Sequence, residues 1–239
     1  MTKQFGTLTI RADELDDKEA YAYEAQILGM LHGLDVTQTG HAVLNAFRWY
    51  RREVLIYPYD GRLGKCNAAA YEDWGMFRTK VSFTPLQYPH ARCEAQGWAG
   101  HSPHQIFVHE LTHAVRSVAG KLLSIPSNFS TGPAGQEEEI AMLVTNIFSS
   151  ETHRRLRTSY DSDTPASYYY FGSDNKENND ESDYSRMVLN WDRDLIKTFC
   201  NQHNEFSRWL ARVEARFNPL RDYFDQTRPQ GWRPTPSRR

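Results

Sequence analysis

The sequence predicts an α+β fold, mainly helical, built as a single domain with a small β-sheet. Three observations carry this. Apolar residues recur at three- and four-residue spacing over several long segments, the signature of amphipathic helices. The compact runs Val54 to Tyr57 and Lys80 to Thr84, each followed by proline, combine β-branched and aromatic residues in the manner of short strands. Finally, 239 residues, 39% of them hydrophobic and 13% aromatic, suffice to enclose one sizeable core.

In chain order, Phe5 to Ile10 alternates as a short strand, and Asp16 to Leu31 carries Ala20, Ala22, Ala25, Ile27, Leu28 and Leu31 at helical spacing. Val36 to Gly40 reads as a polar turn before a helix from Thr39 to Tyr50 with Val43, Leu44 and Phe47. The two strand runs then pair as a small sheet, joined by a long connection, Gly61 to Gly75, that contains Asn67-Ala68-Ala69-Ala70. Pro89 to Gly100 has little periodicity. A helix is marked over Ser102 to Gly120, with Ser102 as N-cap, Pro103 at the first helical position, Gln105 completing a capping box and Gly120 past the end.

After a loop from Lys121 to Gly135, Gln136 to Leu156 reads as a second long helix whose core stripe is Ile140, Leu143, Val144, Ile147 and Phe148. Three N-terminal glutamates and the C-terminal His153, Arg154 and Arg155 suit its dipole. Ser173 to Ser185 is acidic, without apolar pattern, and is expected to be a mobile loop. Helical periodicity returns over Asp192 to Phe217. The domain is expected to span residues 1–227, and Arg228 to Arg239, rich in proline and arginine, to form a loose tail.

A net charge of −2 gives no global field to recruit nucleic acid or an anionic membrane, so neither is expected as a partner. No stretch approaches the roughly 18 apolar residues of a membrane span, and the first twenty residues lack the apolar region of a signal peptide. Export, if it occurs, is expected to use a route other than the general secretory one. Cys66, Cys93 and Cys200 are odd in number and widely spaced, which fits folding under reducing conditions better than a disulfide framework.

The chemistry is concentrated in SPHQIFVHELTHAVRSVAG, residues 102–120. Inside it His109-Glu110-Leu111-Thr112-His113 forms an HExxH string. On a helix His109 and His113 lie one turn apart, so both imidazoles project the same way and suit one metal ion. Glu110 lies about 100° round the helix, placed to act as a base on water rather than as a ligand. Such a string also arises by chance, and its context decides: the helix is capped, its other face is apolar, and an acidic helix follows.

Two imidazoles alone hold zinc weakly, and a catalytic site takes a third protein ligand. A metzincin would need Gly at position 116 and His at 119, where this chain has Arg116 and Ala119, so that class is excluded. The remaining common solution is a carboxylate from Glu137-Glu138-Glu139. Because successive helical residues diverge by about 100°, at most one of the three aims squarely at the metal. With Ile140, Leu143, Val144 and Ile147 facing the core, Glu138, Ala141 and Thr145 form the adjoining stripe. Glu138 is therefore the choice and Glu137 the reserve; the other reading is an acidic cluster that merely decorates a helix N-terminus.

HELTHA followed after a loop by EEEIAMLVTNIFSSE resembles gluzincin metallopeptidases, in particular secreted effector peptidases of Gram-negative bacteria, including domains fused to type VI secretion spike proteins. The shared pattern on the second helix is carried by Glu137-Glu138, Ala141, Thr145-Asn146, Phe148 and Ser150-Glu151. Val54 to Tyr57, Asn67-Ala68, Phe83-Thr84-Pro85 and Phe217-Asn218-Pro219 also resemble the group, whereas Ser173 to Ser185 departs from it. The resemblance implies a zincin-like pair of active-site helices, zinc held by His109, His113 and Glu138, and Glu110 as the catalytic base. It implies a peptidase acting on protein or peptide, delivered into a target cell by a specialised secretion system, with an immunity protein and a secretion component as partners. A monomer is expected.

Donors for a developing oxyanion would be sought among Tyr160, Tyr168, Tyr169, Tyr170 and His153. His101 and His104 flank the helix start and are read as ordinary polar residues beside the cleft. Two other readings stand beside the effector: a cytoplasmic housekeeping peptidase with the same chemistry, and a noncatalytic binding module whose HExxH helix is structural.

Overall fold

The computed structural model describes residues 2–59, 68–73, 78–85, 102–122, 136–154, 156, 185–186, 188–190 and 193–227. The chain begins with a hairpin, β1 (Thr2–Phe5) and β2 (Leu8–Arg11), rather than one strand over Phe5 to Ile10. Gly6 causes the difference: its φ of 61° lies in the left-handed region open to glycine, and it reverses the chain so that Phe5 faces Leu8. Helix α1 (Asp17–Asp35) follows, capped by the Asp16 carboxylate, which accepts from the Glu19 N–H at 2.8 Å. It runs a turn past the expected end because Leu34 extends the buried stripe.

The turn into α2 (Gln38–Tyr50) needs glycine at position 40, where an added Cβ would lie 2.2 Å from the Leu34 carbonyl oxygen. Strand β3 (Val54–Tyr57) runs parallel to β2, and β5 (Arg78–Ser82) parallel to β3 with Val54 opposite Thr79. The expected pairing of the two strand runs is therefore present. The connection between them contains a further strand, β4 (Ala69–Asp73), antiparallel to β5, so the sheet order is β1-β2-β3-β5-β4. Its alanines carry little β preference of their own, and hydrogen bonding to β5 at the sheet edge makes the strand.

Helix α3 (Pro103–Val118) is the expected HExxH helix, and α4 (Gln136–Glu151) the acidic one, ending five residues before Leu156. His153, in the left-handed region at φ 55°, lies past that end rather than in the last turn. Helix α3 packs on α4, on α2 and on the β4–β5 side of the sheet. Phe83, just past β5, stacks on Phe107 of α3 with ring centroids 4.7 Å apart, and its carbonyl accepts from the Tyr23 hydroxyl of α1 at 2.9 Å.

The stretch Asp192 to Phe217 is not one helix. It divides into α5 (Arg193–Gln202) and α6 (Asn204–Ala211) at His203, whose ψ of 54° leaves the helical region. Helix α7 (Pro219–Thr227) begins at Asn218, whose amide donates to the Leu210 and Val213 carbonyls while its side-chain oxygen accepts from the Arg221 N–H. One hydrophobic core joins β2, β3 and β5 to helices α1 through α6 and on to Leu220. The architecture is mixed α+β, mainly helical, in a single domain. No described helix is long and apolar enough to cross a membrane. The expected acidic loop, apart from Ser185, and the expected tail, residues 228–239, lie outside the described residues.

Candidate metal centre

The local sequence of α3 sets its register against α4. Ser102 donates its N–H to the Gln105 side chain at 2.9 Å and its hydroxyl accepts from the Gln105 N–H, the capping box. The Gln105 amide then donates to the Ser149 hydroxyl of α4 at 2.8 Å. The cap that starts one helix therefore also fixes the other. On α4 the fully buried Ala141 shares the stripe of Glu138 and Ser149 that meets α3, and its small side chain admits close approach.

This register brings His109, His113 and Glu138 together. His109 Nε2 lies 2.9 Å from Glu138 Oε2, His113 Nε2 lies 3.3 Å from the same oxygen, and the two Nε2 atoms are 3.2 Å apart. Ligands about 2.05 Å from a tetrahedral zinc lie about 3.3 Å from one another, so a triangle with these edges fits a small divalent ion. The donor set, two imidazole nitrogens and one carboxylate oxygen, suits zinc among other divalent metals. The imidazoles are 7% exposed and Glu138 20%, so the cluster sits at a boundary with solvent rather than deep in the core.

Each group is tuned by its neighbours. Burial alone would lower the pKa of His113, but its contacts with Glu137 and Glu138 and the nearby charge of Glu110 raise it to about 10. Burial would raise Glu138, and the two histidines overcome it and hold the carboxyl well below the usual range. For Glu137 burial also opposes ionisation, and His113 with Arg116 outweighs it, keeping the group a carboxylate. Three electron-rich atoms held this close call for a cation among them, whether a proton or a metal ion.

An ionised Glu137 can only accept, so the 3.2 Å contact with His113 Nδ1 is an Nδ1–H donor, which leaves Nε2 toward the cluster. Glu137, the reserve ligand, thus touches the far edge of the ring from Glu138. It is held there by Arg116, whose Nε donates to both of its oxygens at 2.8 Å. In the sequence Arg116 stands out only as a mismatch to the metzincin pattern. Its signal was position: three residues past His113, it shares that face of a helix flanked by apolar residues, opposite an acidic run.

Glu110, the expected base, is buried on α3 close enough for its charge to act on His113. Glu139 is half-buried and is not one of the three clustered residues. His104 lies over Gly33 of α1, its Nε2 3.3 Å from where a Cβ there would be, and burial lowers its pKa. It does not join the cluster. His153 is exposed beyond α4, and His101, Tyr160, Tyr168, Tyr169 and Tyr170 lie outside the described residues. Cys200 is a free, buried thiol whose pKa burial raises to about 11; Cys66 and Cys93 lie outside the described residues.

Set beside known proteins, the chain matches no family model, no curated protein and no solved structure.

Proposed function

We propose that the protein is a zinc-dependent peptidase that hydrolyses peptide or amide bonds. The triangle formed by His109 Nε2, His113 Nε2 and Glu138 Oε2, with edges of 2.9 to 3.3 Å, is the observation that carries this reading. These three residues would hold the ion. Zinc, when bound, supplies a positive charge that polarises a carbonyl and lowers the pKa of water. Glu110 takes the proton as water attacks the carbonyl carbon. It returns that proton to the amine nitrogen as the carbon–nitrogen bond breaks. His113 keeps its Nδ1–H toward Glu137 throughout, so its ring does not rotate away from the site.

The resemblance of the two helices to effector peptidases supports the rest of the proposal: a toxin delivered into a target cell by a specialised secretion system, acting on protein or peptide, restrained in the producing cell by an immunity protein. Purified wild type and Glu110→Ala, incubated with target-cell fractions and read for new N-termini by mass spectrometry, test both parts. New termini are expected from wild type alone, with the variant retaining zinc and losing at least about 100-fold in rate. Equal cleavage by both would contradict the role of Glu110. A biological effect undiminished in zinc-free protein would favour a binding module.

A further inference from the structure

Arg116 is the largest fully buried side chain among the described residues, and hydrolysis as proposed gives it no part. We propose that Arg116 is a positioning residue for the metal centre: it pins the Glu137 carboxylate against His113 Nδ1–H, orienting the ring and withholding Glu137 from ligation, so that Glu138 is left as the carboxylate ligand. This rests on the metal-binding reading of the site.

The geometry supports a fixed clamp. Arg116 Nε donates to both Glu137 oxygens at 2.8 Å, Nη2 donates to the Lys121 carbonyl at 3.0 Å, and Nη1 reaches the Gln202 side chain at 3.3 Å. The guanidinium carbon lies 5.9 Å from the centre of the Phe199 ring on α5. Held from the chain just past α3 and from α5, it cannot follow Glu137 toward the metal ligands, and Glu137 stays with it. Glu137 and Glu138 are adjacent and bear the same charge, and helix geometry lets only one of them aim squarely at the ion; the clamp fixes which. A carboxylate on the outer nitrogen of a metal-binding histidine also fixes the ring's orientation and raises its basicity.

Zinc affinity by chelator competition, and the visible spectrum of the cobalt(II)-substituted protein, would be measured for wild type, Glu137→Gln, Arg116→Met and the double variant. Each single change is expected to weaken zinc about 10- to 100-fold and to alter the cobalt spectrum. The double variant is expected to bind no worse than the weaker single, since both act through one atom of His113. Should Arg116→Met fail to fold, Glu137→Gln and the double variant, which removes both buried charges together, still decide. Single variants with wild-type zinc affinity and cobalt spectrum, altered only in thermal stability, would make the pair merely structural and overturn the inference while the metal centre stands. Losses that multiply in the double variant would overturn it as well. Wild type that binds neither zinc nor cobalt would remove the metal centre itself, and this inference with it.

Discussion

A single imidazole, that of His113, meets two neighbouring glutamates at its opposite edges, Glu137 at Nδ1 and Glu138 at Nε2. Helical geometry made the second contact legible: once Ile140, Leu143, Val144 and Ile147 are assigned to the core, as they are in the structure, Glu138 is turned toward α3. The first contact is legible only in part: Arg116 shares the His113 face opposite an acidic run, but a sequence does not say that an arginine turns inward. Another buried residue of this kind is His203, whose Nδ1 lies 3.1 Å from the Tyr50 hydroxyl. Burial, with the Arg116 charge, lowers its pKa from 6.5 to about 3. The unfolded chain therefore takes up a proton near pH 6.5 that the folded chain refuses until about pH 3. Stability contributed by neutral His203 is present above about pH 6.5 and is lost as pH falls through that window, by at most about 1.4 kcal/mol per unit. Denaturant unfolding of metal-free protein at several pH values from about 7 to about 4 checks this. His203→Asn should show a shallower acid loss than wild type, and parallel curves would contradict it.

At the scale of elements, the segment EEEIAMLVTNIFSSE does more than supply the proposed ligand Glu138. Thr145 and Ser149 hydroxyls bond back to the Ala141 and Thr145 carbonyls, Ser149 also receives Gln105, and Ser150 accepts the Phe217 N–H at 2.9 Å. Glu151, the last residue of α4, accepts the N–H groups of Gln38 and Thr39 and so caps α2 from a distance. Negative charge at a helix N-terminus is favourable, and these two bonds satisfy donors that the helix itself leaves open. Glu151→Ala is expected to lower stability by about 1–2 kcal/mol, seen as a lower denaturant midpoint at unchanged slope. An unchanged midpoint would show the cap to be idle. Caps within a helix, such as Ser102 with Gln105, are readable because they are local; Glu151 serves a helix 112 residues away at Thr39, a pairing no window of sequence contains. The same reason hid β4, whose pairing with β5 rather than its alanines makes it a strand.

Taken whole, the sheet packs on α1 and α3, while of the C-terminal helices α5 packs on α4 and α6 on α2. The fold class was legible because it depends on periodicity summed over long segments, which local irregularities such as Gly6 and His203 do not erase. The order of the strands and the break between α5 and α6 were not, since both are set by tertiary contacts. Helix α5 is tied to the candidate metal centre through Phe199 and Gln202, which meet Arg116, so the site draws on distant parts of the chain. Zinc content after purification, measured by elemental mass spectrometry on wild type, Glu138→Ala and Glu139→Ala, tests the account most directly. About one zinc per chain is expected in wild type and in Glu139→Ala, and little in Glu138→Ala, because removing one of three protein ligands leaves a weak two-histidine site. Wild type without stoichiometric zinc, or Glu138→Ala that keeps it, would contradict the account.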